Sequence, residues 1–450
     1  MATAGKTTSN WVVDIQKKVE AVDLNTEEKQ WSRQAIYQVP SCIKDLNNKA
    51  YKPQVVSFGP YHNGEPQLLP MEEHKQRALV HFLKRPNNKS LEHYLGELAS
   101  VEEQLRTTYQ TLDKRWNDKD VFLQLMMVDG CFMLEILRVA TEQSSDYAKT
   151  DPIFSNHGML YTLPYIKRDM LMLENQLPLL VLEKLNSSNP RSTTDNPTQV
   201  NKLVLQFFGS KAQAPTTLGL HSLDLYRQSM LSGQVPRSSP QKEEPSSEII
   251  RSAMELNEAG IRFKKNKSGS LKEITFHNGV LSLPVIVVDD ATEYMFLNIM
   301  AFERLHVDAG NEVTAYVFFM DNIIDSAKDV SLLHSKGIIQ NALGSDKAVA
   351  KLFNSLSKDV VLDPESSLDD VHNRVNKYCR KSWNMWRANL IHTYFRSPWA
   401  FLSLVAAIFL IVLTVAQTFY SIYPYYKPRE DSSSSSPPTI FAPPPALSPQ

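Results

Sequence analysis

The densest set of side chains able to do chemistry lies in YKPQVVSFGPYHNGEPQLLPMEEHK, Tyr51–Lys75. It holds His62, His74 and the adjacent carboxylates Glu72 and Glu73, with His81 seven residues past His74. Imidazoles and carboxylates are zinc ligands and the usual groups of general acid–base catalysis. One reading is therefore a metal-dependent enzyme using His62, His74 and His81 with Glu72. The helix that must carry these groups argues the other way. Pro70 suits a first turn, and MEEHKQRALVHFLKR follows it. At 100° per residue, Met71, Ala78, Leu79 and Phe82 share one face, while His74 and His81 lie along one flank. Glu72 projects about 160° from His74, and Glu73 points away from the apolar face. The HExxH spacing of a zinc helix is absent. Only His62 could fold back from its loop. A structural reading leads instead: Pro53 and Pro60 stiffen an extended Tyr51–Phe58, Gly59 and Gly64 permit turns, and His62 and His74 serve as buried hydrogen-bonding pegs. A partner-binding loop is the third reading.

Other catalytic constellations are missing. There is no GxxxxGK[ST], no glycine-rich dinucleotide loop and no GxSxG. The three cysteines, Cys42, Cys131 and Cys379, are far apart and form neither a disulfide framework nor a CxxC metal pattern. Asp129 and Glu135, six apart in an apolar stretch, point about 120° away from each other. No cofactor is implied. A net charge of −1 gives no global attraction for nucleic acid.

The elements around these residues read mostly as helix. Ser9 can cap a helix bearing Val12, Ile15, Val19 and Val22 on one side. After Ser90, the apolar positions from Leu91 to Leu112 predict one long amphipathic helix. Val121–Val139 is apolar nearly all round and predicts a central buried helix, its Gln124, Asp129, Glu135 and Arg138 excluding a membrane span. Arg168–Leu185 predicts a helix broken or kinked at Pro178. Residues 186–199 read as loop, and Ser232–Ser247 as a disordered linker. Beyond it, Glu248–Ala259 is helical, Ile261–Phe276 forms two strands around Asn266–Ser270, and Gly279–Val288 is a third extended run. Asp290 with Glu293 forms a capping box for a helix over Ala291–His306. The fold class is mainly α: a large helical body with a small β insert, then one C-terminal transmembrane helix. The domain reading is a helical lead at 1–35, a body at 36–395, a basic stem at 371–396, a span at 397–423 and a low-complexity tail at 427–450.

The C-terminal span is the strongest single signal. No charged residue occurs from Ser397 to Tyr426. WAFLSLVAAIFLIVLTVAQTFYSI, Trp399–Ile422, would be roughly 36 Å long as a helix, enough to cross a ~30 Å hydrocarbon core. Its anchor residues are Trp399, Phe401, Leu402, Leu404, Val405, Ile408, Phe409, Leu410, Ile411, Val412, Leu413, Val415, Phe419 and Ile422. Trp399 marks one interface and Tyr420, Tyr423, Tyr425 and Tyr426 the other. Arg374, Lys377, Arg380, Lys381, Arg387 and Arg396 precede it with no intervening acid, whereas Lys427 and Arg429 beyond it are balanced by Glu430 and Asp431. The positive-inside rule then puts the body in the cytosol and the tail across the membrane. Residues 1–370 carry the remaining, net acidic charge, so an acidic body stands on a basic stem that favours anionic lipid. Trp383 and Trp386 among those cations point the same way, and explain the mixture of basic and aromatic residues better than RNA would. The sequons at Asn88, Asn186 and Asn266 would be glycosylated only if the body entered the secretory lumen.

Ile36–Gly64, Met71–Lys75, Val128–Arg138, Asp169–Leu185, Ser252–Lys265, Leu283–Glu303 and Asp329–Asp346, together with the terminal span, closely resemble the plant family called domain of unknown function 247, of the UPF0481 type. The match runs in order from about Ile36 to Tyr426. The resemblance implies a plant single-pass membrane protein whose relatives are not established enzymes. Some members are linked to self-incompatibility recognition in grasses, a role that would suit an outward-facing body. The charge asymmetry favours a cytosolic one. The expected function is a non-enzymatic protein-interaction or recognition module, with the lipid bilayer and an unidentified protein as partners and no nucleic acid.

Overall fold

A computed structural model describes residues 10–21, 23, 28, 31–45, 47–85, 88–142, 146–186, 196–233, 250–266, 268–358, 368–390 and 398–426. The expected linker from residue 234 onward, the tail at 427–450, Ser9, Val22 and Arg396 lie outside these residues. The chain divides into two compact units, Met1–Asn384 and Met385–Gln450.

The first unit begins with α1 (Asn10–Ala21) and α2 (Ser41–Lys44), followed by α3 (Leu69–Lys84), α4 (Leu91–Ser100), α5 (Glu102–Thr107) and α6 (Lys119–Glu142). Next come α7 (Asn156–Tyr161), α8 (Leu163–Asp169), α9 (Leu179–Asn186), α10 (Asn196–Phe207) and α11 (Ser222–Leu231). Helix α6 is the hub: α3, α4, α9 and α10 all pack against it. A helix surrounded on every side has no face to present to water, which is why its apolar residues show no stripe. Gly130 lets α9 approach closely; a Cβ there would stand 2.6 Å from both Leu185 Cδ1 and Val181 Cγ1.

Beyond lie α12 (Ala253–Glu258), α13 (Thr292–Leu305), α14 (Glu312–Ile323), α15 (Ala327–Ser335), α16 (Asp346–Leu356) and α17 (Asp369–Cys379). Set among them, β1 (Arg262–Lys265), β2 (Thr275–His277) and β3 (Val280–Leu283) form a sheet of order β1-β3-β2, with β1 parallel and β2 antiparallel to β3. Asn278 and Gly279, both at positive φ, make the two-residue turn between β2 and β3. The expected third extended run is two strands rather than one. It breaks at Pro284, and β4 (Ile286–Val288) pairs in parallel with β5 (Ile339–Asn341), a strand the sequence did not announce.

Four local expectations need correction. The helix expected from Leu91 to Leu112 is interrupted at Val101 (φ −119°), and α5 ends at Thr107. Leu98, Val101 and Leu105 face one core across the break, so apolar spacing registered a shared burial rather than a continuous helix. The helix expected over Arg168–Leu185 stops at Asp169, nine residues before Pro178, and resumes only at Leu179. The capping box at α13 is not formed by Asp290 and Glu293. No side-chain cap forms at the helix start; just ahead of it, the Asp289 amide donates to Thr292 Oγ1 at 2.9 Å and the Thr292 hydroxyl to Asp289 Oδ1 at 2.8 Å. Tyr51–Phe58 is not extended throughout: Tyr51 closes a 3₁₀ turn from Asn48, and the chain bends at Lys52, Gln54 and Val55.

Residues 382–390 form α18 (Ser382–Leu390), where the division between the units falls. The second unit holds α19 (Pro398–Tyr426).

Candidate functional site

The irregular segment Gln54–Gly59 is largely buried, so its backbone donors need partners that no sheet supplies. Buried side chains from three other places provide them. Asp169, at the end of α8, accepts from the amides of Gln54 (3.0 Å), Val55 (2.7 Å) and Val56 (3.0 Å). Asn175, in the stretch between α8 and α9, accepts from the Phe58 amide at 2.8 Å and donates to the carbonyls of Val56 and Asp169. Asp129, in the middle of α6, accepts from the Gly59 amide at 2.8 Å. Gly59 sits at φ +71°, with the Gln176 carbonyl 2.7 Å from where a Cβ would be. Only glycine combines that conformation with that approach.

Lys75 closes the network. It is 0 % exposed, as is Asp129. Its ammonium donates to Asp129 Oδ1 at 2.8 Å and Ser57 Oγ at 3.0 Å, and pairs with Glu72 Oε1 at 2.7 Å. These three partners match its three protons. Burial pushes the Asp129 carboxyl up to about 6, and the Lys75 charge opposes that rise.

Beside it, Glu174 ties three chain segments together. Its Oε1 accepts from the Val39 amide at 2.6 Å and from Lys44 Nζ at 2.7 Å. Its Oε2 lies 3.6 Å from His62 Nε2, a separation of charge attraction rather than a hydrogen bond, while His62 Nδ1 meets Glu65 at 2.6 Å. Burial disfavours a charged His62, but the two carboxylates outweigh it and raise its pKa. Burial likewise opposes an ionised Glu174, yet His62 and Lys44 hold its carboxyl below the usual range.

The four groups weighed as a catalytic set have separate partners. His62 belongs to the Glu174 cluster. His74, half-buried rather than buried, contacts Arg77 Nη1 through Nδ1 at 2.9 Å. His81 stacks on Tyr147, ring centres 4.2 Å apart, and Glu72 turns to Ser57 and Lys75. Among the described residues, no group of three or more His, Cys, Asp or Glu side chains is placed to hold a metal ion. Asp129 and Glu135 also diverge: Glu135 faces Arg85 and Arg138 and accepts the Tyr147 hydroxyl. The residues missed by sequence reasoning are Lys75, Asp169, Glu174 and Asn175. The signal was present: polar residues inside an apolar run, Asp169-Met-Leu-Met-Leu-Glu-Asn-Gln176, must be paired if buried.

The other candidate functional element is C-terminal. Trp399–Tyr423, 25 residues, is long and apolar enough to cross a membrane. All fourteen expected anchor residues lie on it, and none of its most apolar stretch is buried by protein. Of the basic stem, Arg374 pairs with Asp370 on α17, and the Lys381 ammonium lies 5.6 Å from the centre of the Tyr378 ring.

Comparison with known proteins agrees in extent with this architecture. A family described as a plant protein of unknown function, DUF247, matches residues 36–413. A UPF0481 protein of Arabidopsis thaliana is 32 % identical over 446 residues, covering 91 % of this chain and 89 % of its own. A second UPF0481 protein of that plant is 24 % identical over 510 residues, covering 91 % and 94 %. No solved structure matches significantly.

Proposed function

Since the chain belongs to the plant DUF247 family of proteins of unknown function, we propose that it is a single-pass membrane-anchored, non-enzymatic interaction module with its helical body on the cytosolic side. The observation that carries this reading is α19, whose apolar surface the protein itself leaves uncovered. A soluble protein has no means of keeping so long an apolar helix in water.

Two further observations support it. Lys75, Asp129, Asp169 and Asn175 are engaged in holding Gln54–Gly59 in place, and His62, His74, His81 and Glu72 each have separate partners. Two sequon asparagines also use the nitrogen a glycan would occupy: Asn266 Nδ2 donates to the Glu273 carbonyl at 2.8 Å, and Asn88 Nδ2 to the Phe82 carbonyl. The side of the membrane rests on the charge asymmetry described above.

The test is membrane fractionation of full-length protein alongside a chain ending at Pro398. The full chain stays with membranes through high salt and alkaline carbonate, and the truncated chain is released. Release of the full chain without detergent would sink the reading. Proximity labelling from a tagged N-terminus reports the side: cytosolic neighbours are expected, and lumenal or extracellular ones reverse the topology.

A further inference from the structure

We propose that α18 is an interfacial helix that lays Trp383, Trp386 and Leu390 into the headgroup region of an anionic bilayer. This rests on the anchoring reading above and adds a second, charge-selective contact to it. At 100° per residue, Trp383, Trp386, Arg387 and Leu390 fall within an arc of about 100°. Trp383 and Trp386 are 76 % and 75 % exposed, and Leu390 is 48 % exposed. Asn384, about 110° round from the middle of that arc, is buried and donates to the Tyr378 carbonyl at 2.8 Å. The helix thus turns a polar residue toward protein and its aromatic residues toward solvent, the reverse of what a soluble surface helix does.

Two observations identify the occupant as lipid. The first is charge. Arg380, Lys381 and Arg387 border the stripe, and no acidic residue occurs between Val371 and Arg396. Tryptophan bodies at headgroup depth with cations beside them suit an acidic bilayer surface. The second is tether length. Seven residues separate Leu390 from Pro398, so the two are at most roughly 28 Å apart. The start of a membrane-spanning helix therefore keeps α18 within reach of the headgroups.

The test uses the full-length protein in nanodiscs of phosphatidylcholine alone, or with about 30 % phosphatidylserine. Hydroxyl-radical oxidation is read tryptophan by tryptophan by mass spectrometry. Oxidation of Trp383 and Trp386 is expected to fall at least about threefold in the anionic discs and to recover at high salt. Trp11, 69 % exposed on α1, serves as the unaffected reference. The Arg380→Gln/Lys381→Gln/Arg387→Gln variant is expected to lose the lipid dependence while Trp399 stays protected. If Trp383 and Trp386 oxidise equally in both discs with Trp399 protected in both, the inference falls and the anchor stands. Equal protection in both discs also overturns it, since the contact would not depend on acidic lipid. An unprotected Trp399 overturns the anchor and this inference together.

Discussion

Lys75 and Asp129 form a fully buried ion pair, so either one without the other leaves a charge stranded in the interior. Lys75→Met should destabilise the body by about 3–5 kcal/mol, and adding Asp129→Asn, which removes the stranded charge yet keeps an acceptor for the Gly59 amide, should restore part of the loss. Denaturant unfolding of the four species in detergent measures this, and additive losses would show that the two side chains do not act as a pair. The His62–Glu174 cluster predicts a pH dependence. His62 has a raised folded pKa, so its contribution is complete below its unfolded value of ~6.5 and is lost as pH rises through the folded value. Glu174 has a lowered one, so its contribution is present above its unfolded value of ~4.3 and is lost as pH falls through the folded value. The cluster therefore stabilises most between about pH 4.5 and 6.5. Comparing unfolding at about pH 6 and pH 8.5, the wild type should lose stability that His62→Gln does not. Parallel losses in both would place the effect elsewhere.

Among the elements, the irregular stretches Gln54–Gly59 and Met170–Pro178 do the work that a sheet does in other folds. Asp169, at the end of α8, and Asn175, in the stretch after it, supply the hydrogen bonds that the Gln54–Phe58 backbone lacks. Asp169→Ala strips the acceptor from three amides and should cost at least about 3 kcal/mol. Gly59→Ala combines a positive φ with a 2.7 Å approach to a carbonyl and should cost roughly 2 kcal/mol or more. Both are read as shifts in unfolding midpoint, with hydrogen exchange at residues 54–59 reporting whether the loop loosens first. A wild-type midpoint for either would mean that the loop is held some other way. Much of this level was legible beforehand. Gly59 and Gly64 both take positive φ as their turns required, and α6 is the buried central helix its composition predicted. The partners were not legible, because Asp169 meets Val55 across 114 positions that no local pattern connects.

For the whole molecule, if α19 is the anchor, deleting residues 399–450 should leave a chain that stays in solution and loses only the helix that α19 contributes, checked by fractionation and circular dichroism. A truncated chain that aggregates, or loses more helix than α19 itself contributes, would mean that the body needs α19 to fold. By itself the amino-acid sequence determined the helical class, the small β insert and the apolar C-terminal helix, because these follow from composition and periodicity along a contiguous stretch. It also determined family membership, through ordered motifs from Ile36 to the final span. Tertiary structure alone decided how the polar residues of the motifs are partnered. His62, Glu72, His74 and His81 part company because each has a different partner: Glu65 and Glu174 for His62, Ser57 and Lys75 for Glu72, Arg77 for His74 and Tyr147 for His81. Burial of a charge or an amide is settled by what stands opposite it in space, and that neighbour is chosen by packing rather than by position along the chain.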